Sequence, residues 1–227
     1  MGISTRQPDC ILIFGGSFDP VHNGHVALAS SLTALFRPDQ LRLVPAGQPW
    51  QKSGLRASAA QRINMLELAF AGFSCPVHID RQEIERAASG QASYTIDTLR
   101  QIRAECSPGA SLIFAMGADQ FLNLHTWHHW RELFSLAHLC AAARPGFSLD
   151  RVVPEVAQEW PLRAQTAEAL RSMPSGGSYL YRNLAVDVSA TQLREAFAEG
   201  SAATNLLVPA KVLDYLKQQA IYENNGY

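Results

Sequence analysis

Two rhythms of apolar residues alternate along the chain. Short continuous apolar runs give way to longer stretches in which apolar residues recur at helical spacing. "CILIF" (Cys10–Phe14) is the first such run and ends at Gly15-Gly16, as a buried parallel strand should. Leu28, Leu32, Leu35 and Phe36 then fall on one helical face. "LRLVPA" (Leu41–Ala46) reads as a second strand. "SAAQ" (Ser58–Gln61) fits a helix-capping box, followed by a stripe of Ile63, Leu66 and Phe70. "PVHID" (Pro76–Asp80) is a weaker strand, and Ile96, Leu99 and Ile102 mark a helix. "SLIFAMGAD" (Ser111–Asp119), "HLCAAARPG" (His138–Gly146) and "YLYRNLAVDVS" (Tyr179–Ser189) supply further strands. "ATQLREAFAEG" (Ala190–Gly200) reads as a helix stopped by glycine, and Pro209 opens a last helix, "AKVLDYLKQQA". Residues 147–170 have helical character without clear bounds. This alternation predicts an α/β fold, a mainly parallel sheet with helices on both faces. It fills a single domain over residues 10–222, with tails at 1–9 and 223–227. "SMPSGGS" (Ser172–Ser178) reads as a loop inside that domain, and the chain carries no repeat.

Composition narrows the partners. The chain has 227 residues, a formal net charge of −1, 47% apolar and 17% charged residues. That is a globular balance with no basic field for a nucleic-acid backbone. Four separated cysteines without a CxxC point to reduced thiols. The opening "MGISTRQPDC" holds no apolar signal core, and no run approaches the roughly 18 apolar residues of a membrane span. The expectation is a soluble cytoplasmic protein without membrane or nucleic-acid partners; a homo-oligomer is compatible with the sequence.

The chemistry concentrates in "FGGSFDPVHNGH" (Phe14–His25). In an open α/β sheet, ligands bind beyond the carboxyl ends of strands, where this stretch sits. Adjacent glycines permit positive φ and a close approach of backbone N–H groups to an anion, and the following helix adds a positive end. The stretch is neither the dinucleotide fingerprint GxGxxG nor the Walker GxxxxGK[ST]. His22 and His25, three apart at a helix start, can face one ligand. Three readings stand: a phosphate clamp, half of a zinc site whose remaining ligands the spacing does not suggest, and two structural histidines.

"GGSFDPVHNGH" resembles the nucleotidyltransferase signature GGxFDPxHxGH, and "SATQLR" (Ser189–Arg194) resembles that superfamily's second signature, SxTxxR. The finer resemblance is to the bacterial nicotinate-mononucleotide adenylyltransferase family. "ASYTIDTL" (Ala92–Leu99) is similar to its SYTxxTL segment, "GADQFLNLHTW" (Gly117–Trp127) to its G-x-D…W segment, and "ARPG" (Ala143–Gly146) to its RPG. The chain departs from the family's PPHK: "PWQK" (Pro49–Lys52) keeps the lysine but carries Gln51 at the histidine position.

The resemblance implies a Rossmann-like fold and transfer of AMP from ATP to nicotinate mononucleotide, with Mg²⁺ on the phosphates and no resident metal site. It implies that His22 and His25 hold the ATP phosphates, with His25 on the α-phosphate. Gly15, Gly16 and Ser17 would line the nucleotide turn. Ser189 and Arg194 would bind the β- and γ-phosphates, and Asp119, at the end of its strand, would face the ribose or metal side. Tyr94 and Thr95 would contact the nicotinate carboxylate through backbone donors, and Trp127 would stack on the pyridine ring. Lys52 would be a phosphate contact or a solvated surface residue, Asp19 a turn-fixing residue, and Thr191 a capping or packing residue. His125, His128 and His129 read as polar lining or surface near the pyridine subsite. The rivals are an adenylyltransferase for phosphopantetheine or the amidated mononucleotide, and a non-catalytic nucleotide sensor.

Overall fold

A computed structural model of the chain describes residues 9–47, 55–143, 147–183, 190–199 and 204–222. Its strands are β1 (Cys10–Gly16), β2 (Gln40–Pro45), β3 (Val77–Ile79), β4 (Ser111–Gly117), β5 (His138–Ala142) and β6 (Ser178–Tyr181). Among the described residues these six form one sheet in the order β3-β2-β1-β4-β5-β6, and every neighbouring pair is parallel. The principal helices are α1 (Asn23–Phe36), α2 (Ala59–Ala69), α3 (Gln82–Ala88), α4 (Thr95–Glu105), α5 (Ala118–Leu122), α6 (Leu133–Leu136), α7 (Pro154–Leu162), α8 (Ala167–Ser172), α9 (Ala190–Ala198), α10 (Thr204–Leu207) and α11 (Ala210–Gln218).

The period-two geometry of a strand sends alternate residues to opposite faces. Cys10, Leu12 and Phe14 of β1 join a cluster with Leu28 and Leu32 of α1 and Met65 and Leu66 of α2. Ile11 and Ile13 join the opposite cluster with Ile96 and Leu99 of α4 and Trp160 of α7. Both faces of the sheet are therefore covered, which is why the strands read as unbroken apolar runs.

Several elements differ from the sequence expectation. "YLYRNLAVDVS" contributes one described strand, β6, and residues 184–189 lie outside the described residues, as do Arg144–Gly146 and Gly200. Residues 147–170 hold a 3₁₀ turn, α7 and the start of α8. The short helix α3 has a local cause: Asp80 accepts the Gln82 backbone N–H (3.0 Å) and its side-chain amide (2.8 Å). Asp80 also takes Arg42 at 2.7 Å, pairing two buried charges that would otherwise be costly. All four cysteines are free. Among the described residues no helix is long and apolar enough to cross a membrane.

His138, at the start of β5, is fully buried. Its Nδ1 accepts the Gly177 N–H (2.9 Å) and its Nε2 sits 2.8 Å from the Met173 carbonyl, the pattern of a neutral ring. Burial pulls its pKa below the ordinary 6.5, against an opposing pull from the Met173 hydrogen bond. Below that ordinary value the unfolded chain binds a proton that the folded protein does not. The contribution is therefore complete above about pH 6.5 and is lost as pH falls, by up to about 1.4 kcal/mol per pH unit. The melting temperature should accordingly fall more between about pH 7 and about pH 5 in the wild type than in His138→Gln. Equal slopes in the two proteins would contradict the neutral, buried ring.

Candidate active site

The strand order places a topological switch point between β1 and β4. From β1 the chain moves outward to β2 and β3, then returns to the other side of β1 as β4. The loops leaving the carboxyl ends of β1 and β4 diverge there and leave a crevice. The β1 exit is Ser17–His22, and the β4 exit runs from Gly117 to Trp127. The amino terminus of α4 and α9, which follows β6, lie at the same end of the sheet.

Gly15 and Gly16 do not form a positive-φ turn: they are the last residues of β1, paired with Val44 and Pro45. The left-handed residue is instead Phe18, at φ 50°, a conformation a bulky side chain ordinarily avoids. Its ring is fully buried and lies edge-on to Phe14 (5.6 Å) and His25 (5.0 Å). The ring explains the glycine at 16, where a Cβ would lie 3.0–3.2 Å from three Phe18 ring atoms. At 15 a Cβ would meet only the Phe114 ring, at 3.4–3.5 Å.

His22 is the N-cap of α1 and His25 its third residue. Their rings stack with centroids 3.6 Å apart and planes at 21°. His25 Nδ1 accepts the His22 backbone N–H at 3.2 Å, so in its neutral form the His25 ring carries its hydrogen on Nε2. Two imidazoles thus stand together at the positive end of a 14-residue helix.

Asp19 fixes the loop. Its carboxylate is buried and accepts backbone N–H groups from Arg56 (2.9 Å) and Ala57 (3.0 Å) and the Tyr222 hydroxyl. The Asp19 carbonyl accepts Arg194 Nη1 at 2.7 Å, which brings α9 onto the loop after β1. Thr191 lies in the first turn of α9, and its hydroxyl accepts Arg194 Nη2 at 3.2 Å. Ser17 presents its carbonyl to Arg62 Nη1 at 3.0 Å. Arg62 is buried, and burial pulls its guanidinium below the ordinary arginine value, with Asp19 pulling the other way. Sequence reading misses Arg62, yet one signal is present: a cation shares the helical stripe of Met65, Leu66 and Ala69.

Across the crevice, Asp119 is exposed in the first turn of α5, two residues beyond the strand it was expected to end. Trp127 is half-buried, with its ring edge-on to Phe114 at 6.0 Å. Its indole N–H is buried without a protein partner among the described residues. The Phe114 ring therefore neighbours both the Gly15 position and Trp127. Tyr94 is the N-cap of α4 but gives it no side-chain cap, and Thr95 is the first helical residue. Its ring lies 4.7 Å from His128, which in turn lies 4.1 Å from His129. His125, His128 and His129 are exposed, and His129 Nδ1 meets Glu132 at 3.0 Å. Among the described residues no group of three or more His, Cys, Asp or Glu could hold a metal ion. Deeper, the Thr98 hydroxyl of α4 donates to Glu83 of α3 at 2.8 Å and accepts from Arg86. Burial pushes the Glu83 carboxyl up, against Thr98 and Arg86. Lys52, Gln51 and Ser189 lie outside the described residues.

The two glycines should respond differently to a methyl group. Gly16→Ala presses on a ring that Phe14, His25 and burial hold in place, and overpacking of this kind costs about 1–3 kcal/mol. Gly15→Ala makes an ordinary contact and should cost less. Thermal melts of the two variants check this, and equal destabilisation would contradict the role given to Phe18.

The cytidylyltransferase-like family model matches residues 13–196. A probable nicotinate-nucleotide adenylyltransferase of Herminiimonas arsenicoxydans is 52% identical, over 95% of this chain and 97% of that protein. Its counterpart in Laribacter hongkongensis is 43% identical over 94% of each chain. Among solved structures, Plasmodium falciparum nicotinic acid mononucleotide adenylyltransferase complexed with NaAD matches with a TM-score of 0.70 at 17% identity, over 94% of this chain and 97% of that one. That last likeness is one of fold. The match over most of its length, and relatives this similar from end to end, mean that the chain belongs to the cytidylyltransferase-like family and stands among its nicotinate-nucleotide adenylyltransferases.

Proposed function

We propose that this protein transfers the adenylyl group of ATP to nicotinate mononucleotide, with residues 10–222 acting as one nucleotidyltransferase domain. A phosphate oxygen of the mononucleotide attacks the α-phosphorus of ATP. The bond from that phosphorus to the β-phosphate bridging oxygen breaks, pyrophosphate leaves, and nicotinate adenine dinucleotide forms. A phosphate monoester is already a nucleophile at neutral pH, so the protein supplies no general base. Its task is to hold two anions in line and to stabilise the charge that builds up between them.

The observation that carries this reading is the convergence of His22, His25 and Arg194 on the Asp19 loop, at the crevice that Trp127 borders from the other side. We assign the α-phosphate to His25 Nε2–H. The β- and γ-phosphates go to Arg194, whose planar fork suits phosphate oxygens, together with Ser189. Gly15, Gly16 and Ser17 let the nucleotide approach the backbone. The acceptor lies against Trp127, with its carboxylate at the amino terminus of α4, where Tyr94 leaves the first N–H groups without a side-chain cap. Lys52 is assigned to the acceptor phosphate. ATP is used with a divalent cation, which we take as Mg²⁺ entering on the phosphates as part of the substrate. Such a cation needs only one or two carboxylates beside the phosphates, and exposed Asp119, in the first turn of α5, suits that donor set. The free cysteines fit a cytoplasmic enzyme.

Pyrophosphate release with ATP, Mg²⁺ and a panel of acceptors tests the assignment. The acid mononucleotide should give a higher kcat/KM than the amide. His25→Ala should melt near the wild-type temperature and lose about a hundred- to a thousandfold in kcat. Equal use of the amide, or faster use of phosphopantetheine, would overturn the acceptor. Normal turnover by His25→Ala would remove that residue from the chemistry.

A further inference from the structure

The carboxyl-terminal end of the described chain returns to the loop that follows β1. Beyond α11 the backbone turns through two left-handed non-glycine residues, Ala220 at φ 48° and Tyr222 at φ 73°. Such a turn is unfavourable in isolation and persists only where its surroundings hold it. Here Ile221 and Tyr222 are both buried. The Tyr222 ring packs against Phe197 of α9, with centroids 6.0 Å apart, and its hydroxyl donates to Asp19 Oδ1. Phe197 lies three residues after Arg194, about one helical turn away on the same face. Arg194 in turn donates to the Asp19 carbonyl at 2.7 Å. One side chain therefore touches both supports of Arg194: the residue whose carbonyl it grips and the helix that carries it.

We propose that Tyr222 is a positioning residue for the ATP-phosphate half of the site, acting through Asp19 and α9 on the guanidinium of Arg194. The inference rests on the reading that Arg194 holds ATP phosphates. A phenylalanine would fill the same apolar space, so the hydroxyl is the informative atom. It meets a carboxylate that already takes two backbone N–H groups, and that carboxylate is buried, where an unmet acceptor is expensive. Burial and the adjacent Asp19 push the hydroxyl well above the ordinary tyrosine value, so it stays protonated and donating across the neutral range. Without it, Asp19 has one donor fewer and the loop carbonyl under Arg194 loses part of its support. Among the described residues, the amino terminus of α4 and the Trp127 segment, which border the acceptor, share none of these contacts.

Steady-state kinetics on Tyr222→Phe, Arg194→Ala and the double variant test the proposal, each assayed well below its own melting temperature. Tyr222→Phe should lower kcat/KM for ATP about tenfold and leave the KM for the acceptor within about twofold. Arg194→Ala should lower kcat/KM for ATP about ten- to a hundredfold. In the Arg194→Ala background the Tyr222→Phe step should cost little more, because both act on one contact. If Tyr222→Phe melts too early to assay, Asp19→Asn serves instead. It keeps the carbonyl that Arg194 uses, replaces one of the two carboxylate acceptors that Arg56, Ala57 and Tyr222 share by an amide donor, and should give the same split between substrates. Unchanged ATP kinetics, equal losses for both substrates, or losses that multiply in full in the double variant would each overturn the role given to Tyr222. The single variant Arg194→Ala with unchanged ATP kinetics would instead overturn the phosphate reading on which it rests.

Discussion

A carboxylate out of reach of water has to be met by donors, and the candidate site is organised around one such group. Asp19 is 1% exposed, and leaving a buried charge unmet costs several kcal/mol. The donors come from distant parts of the sequence: the turn before α2, the end of the chain after α11, and, on the Asp19 carbonyl, the guanidinium of α9. Satisfying one residue therefore ties four segments into a fixed loop. Phe18, forced into a left-handed conformation beside it, closes the same loop from the apolar side and wedges against His25.

The sheet supplies the second constraint. An order of β3-β2-β1-β4-β5-β6 leaves one crevice where neighbouring strands send their connections apart. The loop after β1 and the start of α1 bring imidazoles to one wall, where the arginine of α9 joins them, and the segment after β4 brings an aromatic ring to the other. Phe114 neighbours both the Gly15 position and Trp127. Two anionic substrates held on either wall would meet at the strand ends, which is the arrangement that direct transfer between them demands.

How much of this can be read in the sequence follows from the range of each interaction. β1, β2, β4 and β5 are legible because burial on both faces leaves continuous apolar runs. The Ser58–Gln61 capping box is legible because both partners lie within one turn. The short α3 is not, since its start depends on Asp80, which is held by Arg42 from another strand. Gly16 is legible as a requirement but not as a reason: the pattern suggests a positive-φ turn, whereas the need arises from the Phe18 ring, and Gly15 meets only an ordinary contact with Phe114. His22, His25 and Arg194 stand out in local motifs. Arg62 and Tyr222 do not, because their partners Ser17 and Asp19 lie 45 and 203 residues away in sequence.

The most direct measurement is a crystal structure with a non-hydrolysable ATP analogue and nicotinate mononucleotide bound together. The α-phosphate should lie within hydrogen-bonding reach of His25, the outer phosphates should meet Arg194, and the pyridine ring should rest against Trp127. Phosphates found away from the loop between β1 and α1, or an acceptor outside the crevice between β1 and β4, would show that the convergence on Asp19 serves the fold rather than the reaction.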